Sequence, residues 1–348
     1  MAFIGLSWWL VVPRGDWRAS AGALTIRDLF LLLIALYALA LIPYYLRHPW
    51  LHSKALILLQ GLAFTARRWF RPMSRARQAR LAGGRWRLPL KAGLSPTARQ
   101  AALTLLLKFF FAPLMINWCL DHAGSMGDAL LRLWDQVAAG IRGRELFDAS
   151  LYWACFQAIL FVDTLLFTLG YLVEWPALGN RIRSVDPTFF GWFICLACYP
   201  PFNTVTSRVF EWQSSDFPQL GNDTAHFAFN VIVLAALAVY SWASIALGLK
   251  ASNLTNRGIV NRGPYALVRH PAYAAKNLAW WLGALPALHA LFDDGEWHRL
   301  GYALLALAGW TTIYALRALT EERHLLMGEN GYAEYMGRVR WRFIPGVV

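Results

Sequence analysis

The chain has 348 residues, 57% of them hydrophobic and only 15% charged, with a mean hydropathy of +0.38 and a net charge of +13. Soluble domains carry ~25% charged residues, so the composition excludes an ordinary soluble protein and points to an all-α, polytopic integral membrane protein. Cys119, Cys155, Cys195 and Cys198 all fall in apolar segments, which excludes a disulfide framework.

Crossing the hydrocarbon core takes ~20 mostly apolar residues in a helix. The segment 3–12 is too short for that. Its Trp8-Trp9 pair fits an interfacial helix better than a signal peptide, because no basic stretch precedes it and no small-residue cleavage site follows. A first span is expected at 29–46, and 55–64 is expected on the surface or re-entrant. Then come Arg67, Arg68, Arg71, Arg75, Arg77, Arg80, Arg85, Arg87, Lys91 and Arg99, with no acidic residue among them. A loop of that kind is held on the cytoplasmic side and attracts anionic head groups. Trp69, Phe70 and Trp86 suit the interface, so the membrane lipids, and no nucleic acid, are the expected partners of the loop 67–99.

Further spans are expected at 101–119, 151–173, 188–202, 226–249, 277–292 and 300–319, about seven in all. The fourth and sixth are short and carry Pro200, Pro201 and Pro286, so they are expected to be tilted, broken or re-entrant. Loops 120–150 and 203–224 are acidic, whereas 174–187, 250–276 and the tail are basic. This alternation places the N-terminus outside and the C-terminus in the cytosol, and the Ala/Leu/Arg/Trp-rich composition points to a bacterial inner membrane. Cys195 and Cys198 have redox-motif spacing, but core packing is the expected role without a thioredoxin-like pattern.

Four ionisable residues fall inside expected spans: Lys108, Asp163, His289 and Arg317. Each is a functional candidate by position. Lys108 and Arg317 are expected to snorkel. Asp163 is expected to pair with Lys108 or point into a cavity.

The chemistry concentrates after residue 225, dividing the chain into a membrane region 1–224 and a second region 225–348. In loop 250–276, Gly258 and Gly263 permit tight turns, and Pro264 and Pro271 disfavour helix just before them. Arg269 and His270 are thus expected where the backbone leaves regular structure, with free amides and carbonyls to offer a ligand. Arg269 presents a planar donor fork, His270 donates or accepts near neutral pH, and Glu321 and Glu322 accept from ribose hydroxyls or pair with an ammonium. The set suits a zwitterionic cofactor carrying a ribose.

In order, Gly263, Tyr265, Arg269, His270, Pro271, Tyr273, Glu321, Glu322, Tyr332, Tyr335 and Pro345 form a pattern over the last quarter of the chain. This region resembles the isoprenylcysteine carboxyl methyltransferase family and, more loosely, the membrane phospholipid N-methyltransferases. The resemblance implies S-adenosylmethionine at the cytosolic face and methyl transfer to a lipophilic small-molecule or lipid-anchored acceptor, carboxylate or amine, entering from the inner leaflet. It implies Gly263, Tyr265, Val268, Arg269, His270, Tyr273, Glu321 and Glu322 as cofactor-binding residues, Arg269 and Glu322 as catalytic, and no metal. A sterol-reductase-type enzyme using NADPH resembles the same C-terminal fold, but Ala272 and Glu321-Glu322-Arg323 fit its signature less well. The third reading is a non-enzymatic lipid-binding protein or transporter, against which the largely intact motif argues. Because the site side chains are expected to face a pocket, alanine variants at Arg269, His270, Glu321 or Glu322 are expected to weaken S-adenosylhomocysteine binding ~10-fold in calorimetry, with stability near the parent's.

Overall fold

A computed structural model of the chain describes residues 53–81, 93–328 and 330–347, with scattered positions between 35 and 47. The segment 3–12, most of the span 29–46, the side chains of 68–81 and all of 82–92 lie outside the described residues, and with them the expected head-group contacts of Trp69, Phe70 and Trp86. The chain divides into two compact units, one ending at Pro113 and the other running from Leu114 to Val348.

In the first unit, helix α1 is Lys54–Leu81. The basic stretch expected as a loop is therefore helical as far as Leu81, in keeping with the high helix propensity of its Arg, Ala and Gln residues. Helix α2, Pro96–Ala138, begins on a Ser95 hydroxyl that accepts the Ala98 amide at 3.2 Å, with Pro96 in the first turn. Its second half corrects another expectation. The acidic stretch 120–150 is helical to Ala138, because Asp121, Asp128 and Asp135 recur every seven residues and share one exposed helix face.

The second unit continues with a helical run from Gly143 that passes through a π-helical stretch, Phe147–Leu151, into α3, Tyr152–Leu172. Then come α4 (Phe189–Leu196), α5 (Asn203–Val209), α6 (Asp223–Leu247), α7 (Pro271–Asp293), α8 (Trp297–Leu326) and α9 (Tyr332–Arg338). Among the described residues four helices are long and apolar enough to cross a membrane: α2, the run 143–172, α6 with its following turn, and α8. Helix α7 adds 23 residues, about 35 Å at 1.5 Å per residue.

Helices α3, α6 and α7 pack on a core of Phe147, Tyr152, Phe156, Val233, Leu237 and Ala279. Helices α7 and α8 pack through Ala284, Leu288, Ala303 and Leu307. The outward faces are apolar too, with Ile232, Trp242, Ile245, Leu278 and Leu305 exposed. Helices apolar all round belong in lipid or in a core.

The expected fourth span is broken. Helix α4 has eight residues, capped by the Thr188 hydroxyl, and turns separate it from α5. Neither helix is long enough to cross alone. The segment from Ser184 to Val209, which contains both, still follows α8 along most of its length. Ser184 bonds His324 at 2.8 Å, Ile194 packs with Trp310 and Ile313, and Tyr302 donates to the Val209 carbonyl at 3.3 Å. From His324 to Tyr302 α8 rises about 33 Å at 1.5 Å per residue. Cys195 is buried and Cys198 packs in this same apolar cluster.

The strands among the described residues are one antiparallel ladder, β1 (Ser184–Val185) on β2 (Thr255–Asn256), with Ser184 facing Asn256 and Val185 facing Thr255. It ties loop 173–188 to loop 250–270 at one end of the bundle. Gly170 locks α3 to the same loop, since a Cβ there would lie 2.1 Å from the Ala251 carbonyl oxygen. The backbone cannot yield cheaply at such a contact. Gly170→Ala is expected to lower stability by about 1–3 kcal/mol, as overpacking does, read as an earlier unfolding transition of the detergent-extracted protein. Gly127→Ala, with open space around its Cβ, serves as the unaffected control.

Candidate functional site

Three segments converge on one carboxylate. Glu322 Oε1, on α8, accepts from Arg269 Nε at 2.8 Å, from Arg342 Nε at 3.1 Å and lies 3.1 Å from His270 Nε2. Its Oε2 accepts from Arg342 Nη2 at 2.9 Å. Arg269 Nη1 donates to the carbonyls of Val339 and Arg340 at 3.1 and 2.8 Å. The amides expected to be free are also engaged. Those of Arg269 and His270 donate to the carbonyls of Trp341 and Arg342, each at 2.9 Å. The C-terminal tail thus pairs with the backbone that Pro271 prevents from being helical. The Glu322 carboxylate holds the Arg342 guanidinium above its ordinary range.

In front of this cluster lies a cavity of 190 Å³ at the ladder end of the bundle. Its wall is unusually rich in tyrosine: Tyr199, Tyr240, Tyr265, Tyr273, Tyr314, Tyr332 and Tyr335. Several of their hydroxyls are used inside the protein. Tyr335 donates to the Tyr265 carbonyl at 2.8 Å, Tyr273 to Glu321, and Tyr240 to Asp163. Burial pushes the Tyr335 phenol up to about 12, so it remains a donor at neutral pH. Burial raises Tyr265 further. Tyr273 also stacks on His270, with ring centroids 5.5 Å apart and planes 8° apart.

Of the residues singled out from sequence, Tyr265, Arg269, His270, Tyr273 and Glu321 line this cavity. Gly263, Val268 and Glu322 stand behind it. Gly263 has φ +59°, and a Cβ there would lie 3.3 Å from Ala246 and Trp242, so it lets the turn press against α6. Glu322 acts on the cavity through Arg269 and His270. Glu321 is the carboxylate that faces the cavity, with its side chain 29% exposed.

Arg317 does not snorkel. It is 3% exposed, its guanidinium carbon 5.0–5.6 Å from the ring centroids of Tyr273, Tyr314 and Tyr199, and its Nη2 donates to Asn253 at 2.9 Å. Asp163 accepts from Ser244 and Tyr240, both of which line the cavity. His289 is a surface residue, paired with Asp293 at 2.9 Å.

Sequence reasoning passed over Arg257 and Lys276. Arg257 is 3% exposed and lines the cavity. Its Nη1 donates to the Asn180 carbonyl at 2.8 Å, but its Nε and Nη2 have no hydrogen-bond partner. Arg317 Nε is orphaned likewise. Burial pulls Arg257 below its ordinary range. Lys276 was hidden because it sits one residue before the expected span 277–292. Its position five residues beyond Pro271, in an otherwise apolar helix, was the available signal.

No protein-family model matches the chain, and neither does any curated protein.

The geometry separates the two adjacent glutamates. Removing one partner of a buried ion pair costs about 3–5 kcal/mol, because the other charges stay buried. Glu322→Gln is expected to destabilise the protein by that order, correcting the expectation that every site variant leaves stability intact. Glu321→Gln, with its carboxylate partly open, is expected to unfold at the parent's temperature. Thermal unfolding of the two purified variants side by side checks the contrast.

Proposed function

We propose that the chain is an integral-membrane methyltransferase that uses S-adenosylmethionine and acts on a lipophilic acceptor. The observation that supports it most is a convergence. Residues from four separate stretches, 265–273, 314–321, 332–335 and 250–258, meet on one cavity that is both aromatic and charged. The donor set fits the cofactor. The unpartnered N–H groups of Arg257 and Arg317 match a carboxylate. Glu321 matches an ammonium or ribose hydroxyls. Tyrosine faces suit a sulfonium.

When bound, the cofactor supplies an electrophilic methyl group. The chain's own residues then have positional work to do. Glu322 fixes the Arg269 and His270 side chains, and the tail residues Trp341 and Arg342 fix their backbone. Tyr273 and Tyr314 hold Arg317 in place by their faces. Displacement at a methyl carbon depends on alignment and on excluding water, and both follow from a rigid, tyrosine-walled cavity.

The orientation in the membrane belongs to the same proposal. Arg181, Arg183, Arg257, Arg262 and Arg340 lie in loops or tail at the cavity end, and Arg338 ends α9 beside them; the positive-inside rule favours a cytosolic side for such a cluster. Seven passes follow if the broken segment α4–α5 counts as one and a first span precedes α1.

Calorimetry on the purified protein with S-adenosylhomocysteine and with NADPH tests the reading. Binding of the first and not the second is expected. Arg257→Met and Glu321→Gln should each weaken it about 10-fold, the loss of one charge-assisted hydrogen bond. NADPH binding alone would replace the proposal with a reductase.

A further inference from the structure

At the end of α6 away from the polar cavity, buried His226 stands between two acceptors that lack a donor. Its Nε2 lies 3.5 Å from Asp148 Oδ1, a buried oxygen that makes no hydrogen bond, although the rest of that carboxylate is partly open. Its Nδ1 lies 3.2 Å from Asn230 Nδ2. Asn230 is fully buried, and its Oδ1 has no partner. The amide is oriented by its nitrogen, which donates to the carbonyls of Pro218 and His226, each at 3.0 Å. Asp148 stands on the π-helical stretch Phe147–Leu151, and such stretches recur at functional sites.

The pattern suits a neutral imidazole, with a lone pair on Nδ1 facing the amide nitrogen and the single proton on Nε2 facing Asp148. A second proton reverses the balance. An Nδ1–H then points at the Asn230 amide nitrogen, donor against donor. Turning the amide over removes the clash and brings the orphaned Oδ1 to Nδ1–H. The same turn sets an oxygen against the Pro218 carbonyl and breaks that bond. On the other side of the ring, Nε2–H becomes a charged donor for the orphaned Asp148 oxygen. Both acceptors gain a partner, and the bond that is lost is one that holds a loop. On the elements around the ring the charged groups are Asp148, Glu145 and Arg144 before α3, Asp223 on α6, Asp216 on the loop, and Lys276 on α7, which acts on Asp216. Arg144 is engaged with Thr224 at 2.9 Å and stands over the Phe227 ring.

The loop is the one that covers a second cavity. Phe217 packs edge-to-face on His226 with ring centroids 5.0 Å apart. Just before it, Ser214, Ser215 and Asp216 form part of the wall of a 150 Å³ cavity that shares Tyr240 and Lys276 with the polar one. The loop's other anchors run from the Ser215 amide to the Gly283 carbonyl, from Tyr152 to the Asp216 carbonyl and from Trp310 to the Phe210 carbonyl. None of them involves an imidazole. We propose that His226, Asp148 and Asn230 form a proton-operated latch on loop 214–218. With the ring neutral, Asn230 holds the loop over the second cavity. With the ring protonated, the loop lets go of α6 and the cavity opens at that end of the bundle. The latch is independent of the methyl-donor reading of the polar cavity.

The test is hydrogen exchange on the full chain in lipid nanodiscs, read by mass spectrometry on peptides covering the loop and corrected for the intrinsic pH dependence of amide exchange. Imidazoles titrate between about pH 5 and about pH 8, which sets the two conditions. In the parent, protection of the loop is expected to fall about 10-fold or more at the lower pH, while peptides of α8 keep theirs. His226→Gln, whose side chain takes up no proton, is expected to keep the loop protected at both. Asn230→Leu removes the latch and is expected to leave the loop open at both. Asp148→Asn removes the charge that favours the protonated ring and is expected to move the change to lower pH. No change in the parent, or the parent's pH response persisting in His226→Gln, overturns the proposal. Should His226→Gln fail to fold, Asp148→Asn decides, and an unshifted response there overturns it as well. S-adenosylhomocysteine binding enters none of these readouts, so failure of the latch and failure of the methyltransferase reading are separate results.

Discussion

The Glu322 carboxylate is the point on which the site depends. It sits on the last turns of α8 and receives hydrogen bonds from a loop residue before α7 and from the C-terminal tail. None of these segments fixes the others by regular secondary structure. Loop 263–270 carries Pro264 and is followed by Pro271 at the start of α7, and the tail after Arg338 is irregular. An apolar contact would hold them near each other in many arrangements. A carboxylate with its oxygens taken by guanidinium forks and an imidazole allows few. Buried ion clusters of this kind add little net stability over an apolar core. What this one adds is a fixed direction for Arg269 and His270.

The second constraint is the polarity of the bundle. Polar chemistry gathers at the end where the ladder, the turn at Gly263 and the tail meet. Toward the other end the helices meet through Phe, Leu and Ala, and the loop 210–222 is tied down by carbonyls that Tyr152, Asn230 and Trp310 bond. The broken segment α4–α5 follows from this asymmetry. From Ser184 to Val209 the chain runs beside α8, and the interruption frees backbone groups that find partners within the segment, as when Thr206 of α5 donates to the Ala197 carbonyl at 2.9 Å. Irregular backbone at such depth is tolerated only where protein supplies the missing bonds.

Much of this was legible in the sequence, and the failures have physical causes. Apolar run length found the long helices, because hydropathy reports what lipid and core share. It misplaced helix ends in α1 and α2, where charged side chains do not stop a helix that can point them to solvent. Motif order brought Tyr265, His270, Tyr273 and Glu321 to one cavity. It could not tell Glu321 from Glu322, since adjacent helix residues point about 100° apart and the sequence does not say which one faces the tail. Reading Arg317 as a snorkelling residue failed for a similar reason. Snorkelling is an option for an isolated helix, and three tyrosines from α7, α8 and the segment after α4 made a better site for the guanidinium. Lys276 was missed because one lysine at the edge of an apolar run resembles an ordinary helix boundary. Only the packing of α6 and α8 around it shows that it lies inside.

The abundance of tyrosine connects the fold to the chemistry. A cavity walled by phenylalanine would be rigid but could not anchor carboxylates. A wall of serine or asparagine would be polar but mobile and wet. Tyrosine supplies a large rigid ring with one polar atom at its tip. Here the tips of Tyr240, Tyr273 and Tyr335 are taken by Asp163, Glu321 and the Tyr265 carbonyl. Ring faces are thereby left for cations, and Arg317 and Lys276 occupy several of them. A cation held by ring faces keeps its N–H donors for another partner, unlike one held by a carboxylate. Arg269, which spends its donors on Glu322 and the tail, belongs to the frame. Lys276, Arg317 and Arg257 keep donors unspent, and that difference separates the cations that hold the frame together from those whose donors stay open at the cavity.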